Sequence, residues 1–396
     1  MVVDLAVVGG GCAGLSLARA LAQDGIKQSV IVIEPRTHYG NDRSWCFWAP
    51  DTQDAPKDLP LIPLPAQIWR TVHHRWPSWA FGQMNQPVAT KQSPGLSYQY
   101  LRASDFYQVC RQTIEASATV DLHLGQTVQM ITPVAAGWEI TTDKQVVQAR
   151  HVIDTRGPDR ERASKASLQQ VFLGAEIELD VPAEIDIGLA ELMTDMRLVN
   201  GEFCFTYVLP YSPTRLLVEV TFFARVVPDR AVLEAELESL LQRRGWGQAQ
   251  VVRQEYAVLP MGLPSARVLP GQPPQAGTGG GALRASSGYG FLRIQRWAAN
   301  CAQHYLATGE VVGHPKPHWW WRSMDQLFLD VIVSDPSLAP VIFERMLKRT
   351  EPARFVRFMS DQASVMDCVR IIAGLPKRPF LTALLNRALG YMGVSR

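Results

Sequence analysis

The stretch from Met1 to Gly14, with the residues just behind it, constrains this chain more than any other. Val2-Val3-Asp4-Leu5-Ala6-Val7-Val8 is short, apolar and β-branched, which predicts a buried strand. It runs without a break into Gly9-Gly10-Gly11-Cys12-Ala13-Gly14, with glycines at the first, third and sixth positions. Leu15 to Ala22 follow with good helix formers and an apolar stripe at helical spacing. A second apolar strand, Val30-Ile31-Val32-Ile33, ends in Glu34, 20 residues beyond Gly14. Strand, turn, helix, strand and acid in this register form the setting that a dinucleotide needs. Gly9, Gly11 and Gly14 allow a tight turn, a close approach to pyrophosphate and close helix–strand packing. The helix start, with Cys12 and Ala13, faces the phosphates, and Glu34 takes a ribose hydroxyl with Pro35 and Arg36 just beyond it.

The totals narrow the class. With 396 residues the chain can hold two or three domains, and 47% hydrophobic against 19% charged residues describes a globular protein with a fairly apolar surface. A net charge of +2 gives no reason to expect nucleic acid. The six cysteines are scattered without a CxxC pair, and the eight histidines show no HExxH or His/Cys grouping, so neither a disulfide framework nor a metal site is expected. There is no GxSxG elbow of an esterase. The N-terminus already reads as a strand of the fold and no apolar run approaches a spanning helix. A cytoplasmic location is therefore expected, with peripheral attachment to the inner face of a membrane left open. Tryptophans cluster at Trp45, Trp48, Trp69, Trp76 and Trp79 and again at Trp319-Trp320-Trp321. They suit greasy pockets or bilayer interfaces, and core packing equally well.

Beyond Arg36 comes Asn41-Asp42-Arg43-Ser44-Trp45-Cys46-Phe47-Trp48, then a Pro- and Asp-rich loop over 50–66. Tyr98 to Cys110 reads as a strand end and a helix capped at Ser104-Asp105, and Val120 to Val147 alternates as β-strands. His151 to Asp154 is a further buried strand, stopped by Thr155-Arg156-Gly157-Pro158. Gln170 to Phe223 is again β, which predicts a second, substrate-facing antiparallel sheet, and Ala231 to Arg244 is helical. A Pro/Gly-rich loop from Pro264 to Gly281 leads through Ser286-Ser287-Gly288-Tyr289-Gly290 into a helix near Phe291. From Ser323 onward the pattern is helical and punctuated by proline.

At Asn-Asp-Arg-Ser-Trp-Cys-Phe-Trp the chain begins to resemble the flavin-dependent lycopene cyclases of bacteria and plants. These are members of a larger FAD superfamily that includes geranylgeranyl reductases, aromatic hydroxylases and flavin halogenases. The likeness returns at Val152 to Gly157, at Tyr207 to Thr221 with its Pro-Thr-Arg-Leu-Leu-x-Glu-x-Thr pattern, at Glu255 to Met261 and at Ser286 to Tyr289. Two departures stand out. Val220 follows Glu219 where the family usually has a second acid, and Arg284-Ala285 stand where it usually has His-Pro.

The resemblance implies an α/β protein: a Rossmann-type FAD-binding domain (1–60, 98–160 and 256–310) and an inserted antiparallel-β substrate domain (61–97 and 161–255). A helical C-terminal segment (311–396) completes it. It implies reduced FAD as the active cofactor, NAD(P)H as electron source, and a hydrophobic isoprenoid substrate cyclised by alkene protonation and proton loss. A redox flavoenzyme of the same fold (reductase, hydroxylase or halogenase), a cyclase of another polyprenoid and a non-catalytic carotenoid-binding flavoprotein remain open. Glu219, among apolar neighbours, suits the acid; periodicity alone also fits a surface strand position. Arg102, Asp154, Gly157, Gly288 and Tyr289 are expected at the flavin, and Asp42, Trp45, Trp48, Thr221, Phe223 and Glu255 at the substrate. Asp42 and Arg43 could instead pair with each other, Arg102 could be a surface charge, and Asp154 with Arg156 a strand-end ion pair. The basic run Arg293, Arg296, Lys316 and Arg322 suits lipid headgroups or a solvated helix face.

Overall fold

The computed structural model describes residues 1–52, 64–264 and 270–391. Most of the 50–66 loop and residues 265–269 of the later loop lie outside them. The apolar run at the N-terminus forms β1 (Val2–Val8), and α1 (Cys12–Gln23) springs from the glycine turn. Around β1 lies a six-stranded sheet: β8 (Val120–Leu124), β2 (Val30–Glu34), β1, β11 (Val146–Asp154), β10 (Gly137–Thr142) and β9 (Val128–Val134). The first four run parallel, and β10 and β9 fold back antiparallel. Leu5, Val7 and Val32 bury one face against α1, α3 (Ala103–Glu115) and α6 (Phe291–Thr308).

A second sheet has seven strands in the order β16 (Gln250–Met261), β12 (Leu168–Glu178), β15 (Arg215–Ala224), β14 (Glu202–Pro210), β13 (Leu189–Val199), β5 (Ser78–Gln83) and β6 (Ala89–Gln92). Strict alternation along these strands makes two apolar faces. Val171, Val218, Val220 and Phe222 pack outward on Leu233, Leu237 and Leu240 of α5 (Arg230–Arg243). Phe203, Phe205 and Phe223 pack inward with the C-terminal helices. A small sheet of β3 (Ser44–Pro50), β7 (Leu96–Arg102) and β4 (His74–Trp76) bridges the two, and short helices α2 (Ala66–Arg70) and α4 (Arg160–Ser164) join the pieces. The tail is α7 (Trp319–Ser334), α8 (Leu338–Arg349), α9 (Pro352–Met359), α10 (Val365–Gly374) and α11 (Lys377–Tyr391).

The α/β class and the helical tail are as expected, and the inserted sheet is antiparallel except where β5 runs parallel to β13. One boundary moves. A division at 255/256 would cut β16, which pairs with β12 from Gln250 to Met261, so the strand belongs whole to the large sheet. The helix after β7 begins at Ala103, with Arg102 rather than Ser104 at its cap position. Among the described residues the six cysteines are unpaired and no helix is long and apolar enough to cross a membrane.

Candidate active site

Where the two large sheets meet lies a cavity of about 710 Å³, within the range of roughly 300–1,000 Å³ usual for ligand sites. Its nucleotide end is made by the glycine turn, and each fingerprint glycine has a physical reason. Gly9 has φ +99°, a conformation that side chains avoid. A Cβ on Gly11 would meet no protein atom within 4 Å, so the space in front of it is left for a ligand. A Cβ on Gly14 would stand 1.9 Å from the Gly9 carbonyl oxygen, so α1 can approach β1 only without one. Beside the turn, the Gly10 N–H donates to Glu34 Oε2 at 2.6 Å, and Arg36 Nε donates to Glu34 Oε1 at 2.8 Å. Arg36 also donates to Asp42 Oδ2 and to the Tyr107 hydroxyl, both at 3.1 Å, and lies over the Tyr39 and Tyr107 rings.

The opposite wall brings Gly277, Thr278 and the 287–291 turn to the same space. Gly288 has φ +70°, and Gly290 caps α6. Buried polar atoms aimed here lack protein partners, among them Gln170 Oε1, Ser287 Oγ and one oxygen of Asp42. Open glycine backbone, a helix start and unsatisfied buried donors and acceptors fit a dinucleotide flavin. The residues that would hold one are Gly9 to Ala13, Glu34 to Arg36, Thr155 to Gly157 and Ser287 to Gly290.

The large sheet supplies the floor. Register sets Tyr207, Glu219, Gly174 and Glu255 in one row across β14, β15, β12 and β16. All four point the same way, so Glu219 and Glu255 face each other over a residue without a side chain. A Cβ at Gly174 would come 3.5 Å from Glu219 Oε2. Phe172, Leu209, Leu217, Ala257 and Leu259 complete an apolar surround. Glu219 is half-buried and lies on the cavity wall. Burial, and then the charge of Glu255, push its carboxyl up to about 8, against the opposing hydrogen bond that Thr221 Oγ1 donates at 2.8 Å. Glu255 is held differently: Arg253 Nη1 donates to it at 3.1 Å and the Ser44 N–H at 3.2 Å. Arg253 also reaches the Ser44 hydroxyl and the Asn41 carbonyl, tying β16 to the loop before β3. Buried Tyr98 and half-buried Cys46 and Tyr207 have their ionisation pushed above the ordinary range by desolvation, so they stay neutral.

Behind Tyr207 and Tyr289 the cavity is continued by an apolar hollow between the sheet and the tail helices. Trp48, Phe205 and Phe223 line one side, and Phe343, Met346, Phe355 and Met359 of α8 and α9 the other. Trp48 packs against Tyr98, Tyr289 and Phe355 with ring centroids 4.7–5.6 Å apart.

Of the residues expected here, Gly9, Gly11, Cys12, Ala13, Glu34, Pro35, Arg36, Asp42, Trp45, Gly157, Glu219, Glu255, Gly288 and Tyr289 all line the cavity. Trp48 and Phe223 line the hollow. Gly14 and Thr221 sit just behind the wall, one as a packing residue and the other as a donor to Glu219. Three expectations change. Arg102 turns away and pairs with Asp105 at 2.8 Å, because β7 ends there and α3 presents an acid in its first turn; the arginines that line the cavity are Arg36, Arg43 and Arg156. Asp154 is buried behind the cavity and paired with Arg156 at 2.8 Å, the strand-end ion pair, while Thr155 to Gly157 form the wall. Asp42 pairs with Arg36 rather than with the Arg43 side chain, which donates to the Asp42 carbonyl oxygen. Lys316, Arg322 and Arg293 of the basic run border a second cleft with Arg162, and Arg293 is also paired with Asp361. Reading the sequence missed Gln170, Gly174, Tyr207 and Arg253 as site residues. Alternation along β12, β14 and β16 gives their face, but only the cross-strand register shows what they oppose. Among the described residues no group of His, Cys, Asp and Glu could hold a metal ion.

A family model described as "Lycopene cyclase protein" matches residues 4–385. The chain belongs to the lycopene cyclase family. Among relatives in that family, the lycopene beta-cyclase of Pantoea ananas is 24% identical over 399 residues, 96% of this chain and 97% of that protein. The lycopene beta-cyclase of Pseudescherichia vulneris is 26% identical, with 95% of each chain covered. Among solved structures, a geranylgeranyl bacteriochlorophyll reductase-like protein from Thermoplasma acidophilum superposes with a TM-score of 0.61 at 14% identity, covering 96% of this chain and 97% of that one. A probable FAD-dependent monooxygenase from Pseudomonas aeruginosa gives 0.54 at 14%, covering 91% and 100%. A halogenase solved with FAD gives 0.54 at 12%, covering 90% and 78%. This lycopene cyclase family chain thus has the fold of FAD-dependent enzymes. The family assignment also bears on Val220. Neighbours on a strand point to opposite faces, and Val220 lies in the core beneath α5. A second acid at that position would not enter the cavity, so the departure takes no group away from it.

Proposed function

We propose that this chain cyclises the end group of a linear carotenoid, lycopene to a β-ionone-ring carotene, without net oxidation or reduction. The observation that carries the reading is the place of Glu219, on the wall of an aromatic and apolar cavity continuous with a dinucleotide cradle, where burial favours the protonated acid. The Glu219 O–H bond breaks as its proton adds to the terminal alkene, leaving a tertiary cation. The neighbouring double bond attacks that cation and closes the ring. Loss of a proton from the ring restores a double bond, so atoms and electrons balance. Glu255, which faces Glu219 across Gly174 and is paired with Arg253 at 3.1 Å, is the group we assign to receive this proton.

Water would quench such a cation, and Phe172, Leu209, Leu217 and Leu259 keep it out. Tyr207, Tyr98 and Trp45 present rings to the positive charge. Bound reduced FAD supplies an electron-rich ring for the same purpose, with NAD(P)H as the source of its electrons. The FAD fold and the family of lycopene beta-cyclases support this assignment.

The test is Glu219→Gln. We expect turnover of lycopene with reduced FAD to fall by at least about a hundredfold while FAD still binds, measured by product chromatography and flavin absorbance. An unchanged product yield would remove Glu219 from the mechanism. Consumption of NAD(P)H in proportion to product would replace a cyclase by a redox enzyme.

A further inference from the structure

The last two helices leave an apolar surface uncovered. On α10, Val365, Val369 and Ile372 recur at helical spacing and are 71%, 49% and 46% exposed, with Met366 beside them at 56%. On α11, Leu381, Leu384 and Leu385 are 56%, 48% and 64% exposed. The reverse sides are packed: Ile371 and Cys368 of α10 and Ala383 of α11 are buried. Scattered exposed leucines are ordinary, whereas two consecutive helices that both turn their large apolar residues outward mark a contact surface.

Charge selects the partner. From Gln362 to Ala388 the sole acid is Asp367. It is buried, paired with Arg354 and Arg357 of α9 at 3.1 and 2.8 Å, and closes the capping box of α10. Arg370, Lys377 and Arg378 are exposed and have no acid partner among the described residues. Apolar residues flanked by unpaired cations, with no exposed carboxylate, complement an anionic bilayer surface. A second copy of this chain would gain from the apolar residues but set the same cations against one another.

We propose that α10 and α11 are the face on which this chain lies against an anionic lipid bilayer. The Asp367 clasp fixes α10 to α9, whose Phe355 and Met359 line the apolar hollow that leads to Tyr207 and Glu219. The basic run at Arg293 to Arg322, the other candidate for headgroups, borders a concave cleft instead.

The experiment is co-sedimentation of the FAD-loaded protein with phosphatidylcholine vesicles, with and without phosphatidylglycerol. The wild type should bind the anionic vesicles and bind the neutral ones more weakly. V369S/I372S/L381S/L385S should lower binding to both at least about tenfold. R370Q/K377Q/R378Q should lose roughly fivefold per charge on anionic vesicles alone, and salt should reduce the wild type to the same level. All these positions are exposed, so bound FAD and turnover of detergent-dispersed substrate should stay as in the wild type. Failure of the wild type to sediment, or a quadruple variant that binds as well as the wild type, would overturn the proposal. So would a wild-type dimer that the quadruple variant dissolves without any vesicle binding. Because binding is scored without substrate, an inactive enzyme that still sediments would overturn the function and leave the docking face in place.

Discussion

Glu219 shows how one side chain's chemistry is set by what surrounds it. Its carboxyl is held up to about 8 by burial and by Glu255, so the protonated form persists through neutral pH. We expect turnover to fall as pH rises through about 8, and Glu219→Asp to move that limb as well as slow the reaction. The linkage has the matching sign. A carboxyl whose folded value is raised gives stability that is fully present below the ordinary carboxylate range and is lost as pH rises toward 8. Glu219→Gln should flatten that part of the stability curve in urea titrations. Gly174 offers an independent check, since an alanine Cβ would make only ordinary contact with Glu219 at 3.5 Å. Gly174→Leu should fill the gap between the two acids and reduce turnover at least about tenfold with FAD affinity unchanged; equal turnover would show that substrate does not reach this floor. The acid was legible in the sequence through the family-like Pro-Thr-Arg-Leu-Leu-x-Glu-x-Thr pattern, since apolar neighbours alone fit a surface strand position as well. Its setting was not, because Gly174 and Glu255 meet it through pairings of strands 36 to 45 residues away.

Elements carry the nucleotide cradle, and here sequence is most informative. β1, the glycine turn and α1 are local, and their pattern suffices to place them. Gly14→Ala should prevent close packing of α1 on β1, because its Cβ would meet backbone at 1.9 Å, and backbone cannot step aside. We expect loss of FAD binding together with a clear drop in thermal stability; retained flavin would show that α1 can shift. Errors arose where an element's end decides a side chain's direction. Arg102 sits at the junction of β7 and α3, and the choice between cavity and surface was made by Asp105 one turn on. Pleating has a further effect on β15: a one-residue slip would exchange Glu219 with Val220 and hide the acid beneath α5.

At the scale of the whole molecule, polar contacts such as Gln83 with Glu344, Gln326 with Ser167 and Arg293 with Asp361 join the tail to the rest. Arg284 makes another. It is 1% exposed, pairs with Asp325 at 3.3 Å and Asp361 at 3.6 Å, and lies over the Trp321 and Phe358 rings. It thereby fastens the loop that continues into Ser287 and Gly288 to α7 and α9. Arg284→Met should cost about 3–5 kcal/mol, because it leaves buried Asp325 without its cation. Chemical denaturation would measure it, and a loss under about 1 kcal/mol would make the cluster a surface feature in energetic terms. The tail helices were legible from apolar spacing and proline, whereas this clasp was not, since arginine here reads first as a departure from a family pattern. The cavity's walls come from stretches scattered between Val8 and Ile294, and no single segment encloses it. Whatever fills that space therefore acts as mortar between the two sheets whose residues line it. Filling it and completing the fold become, in free-energy terms, parts of one event.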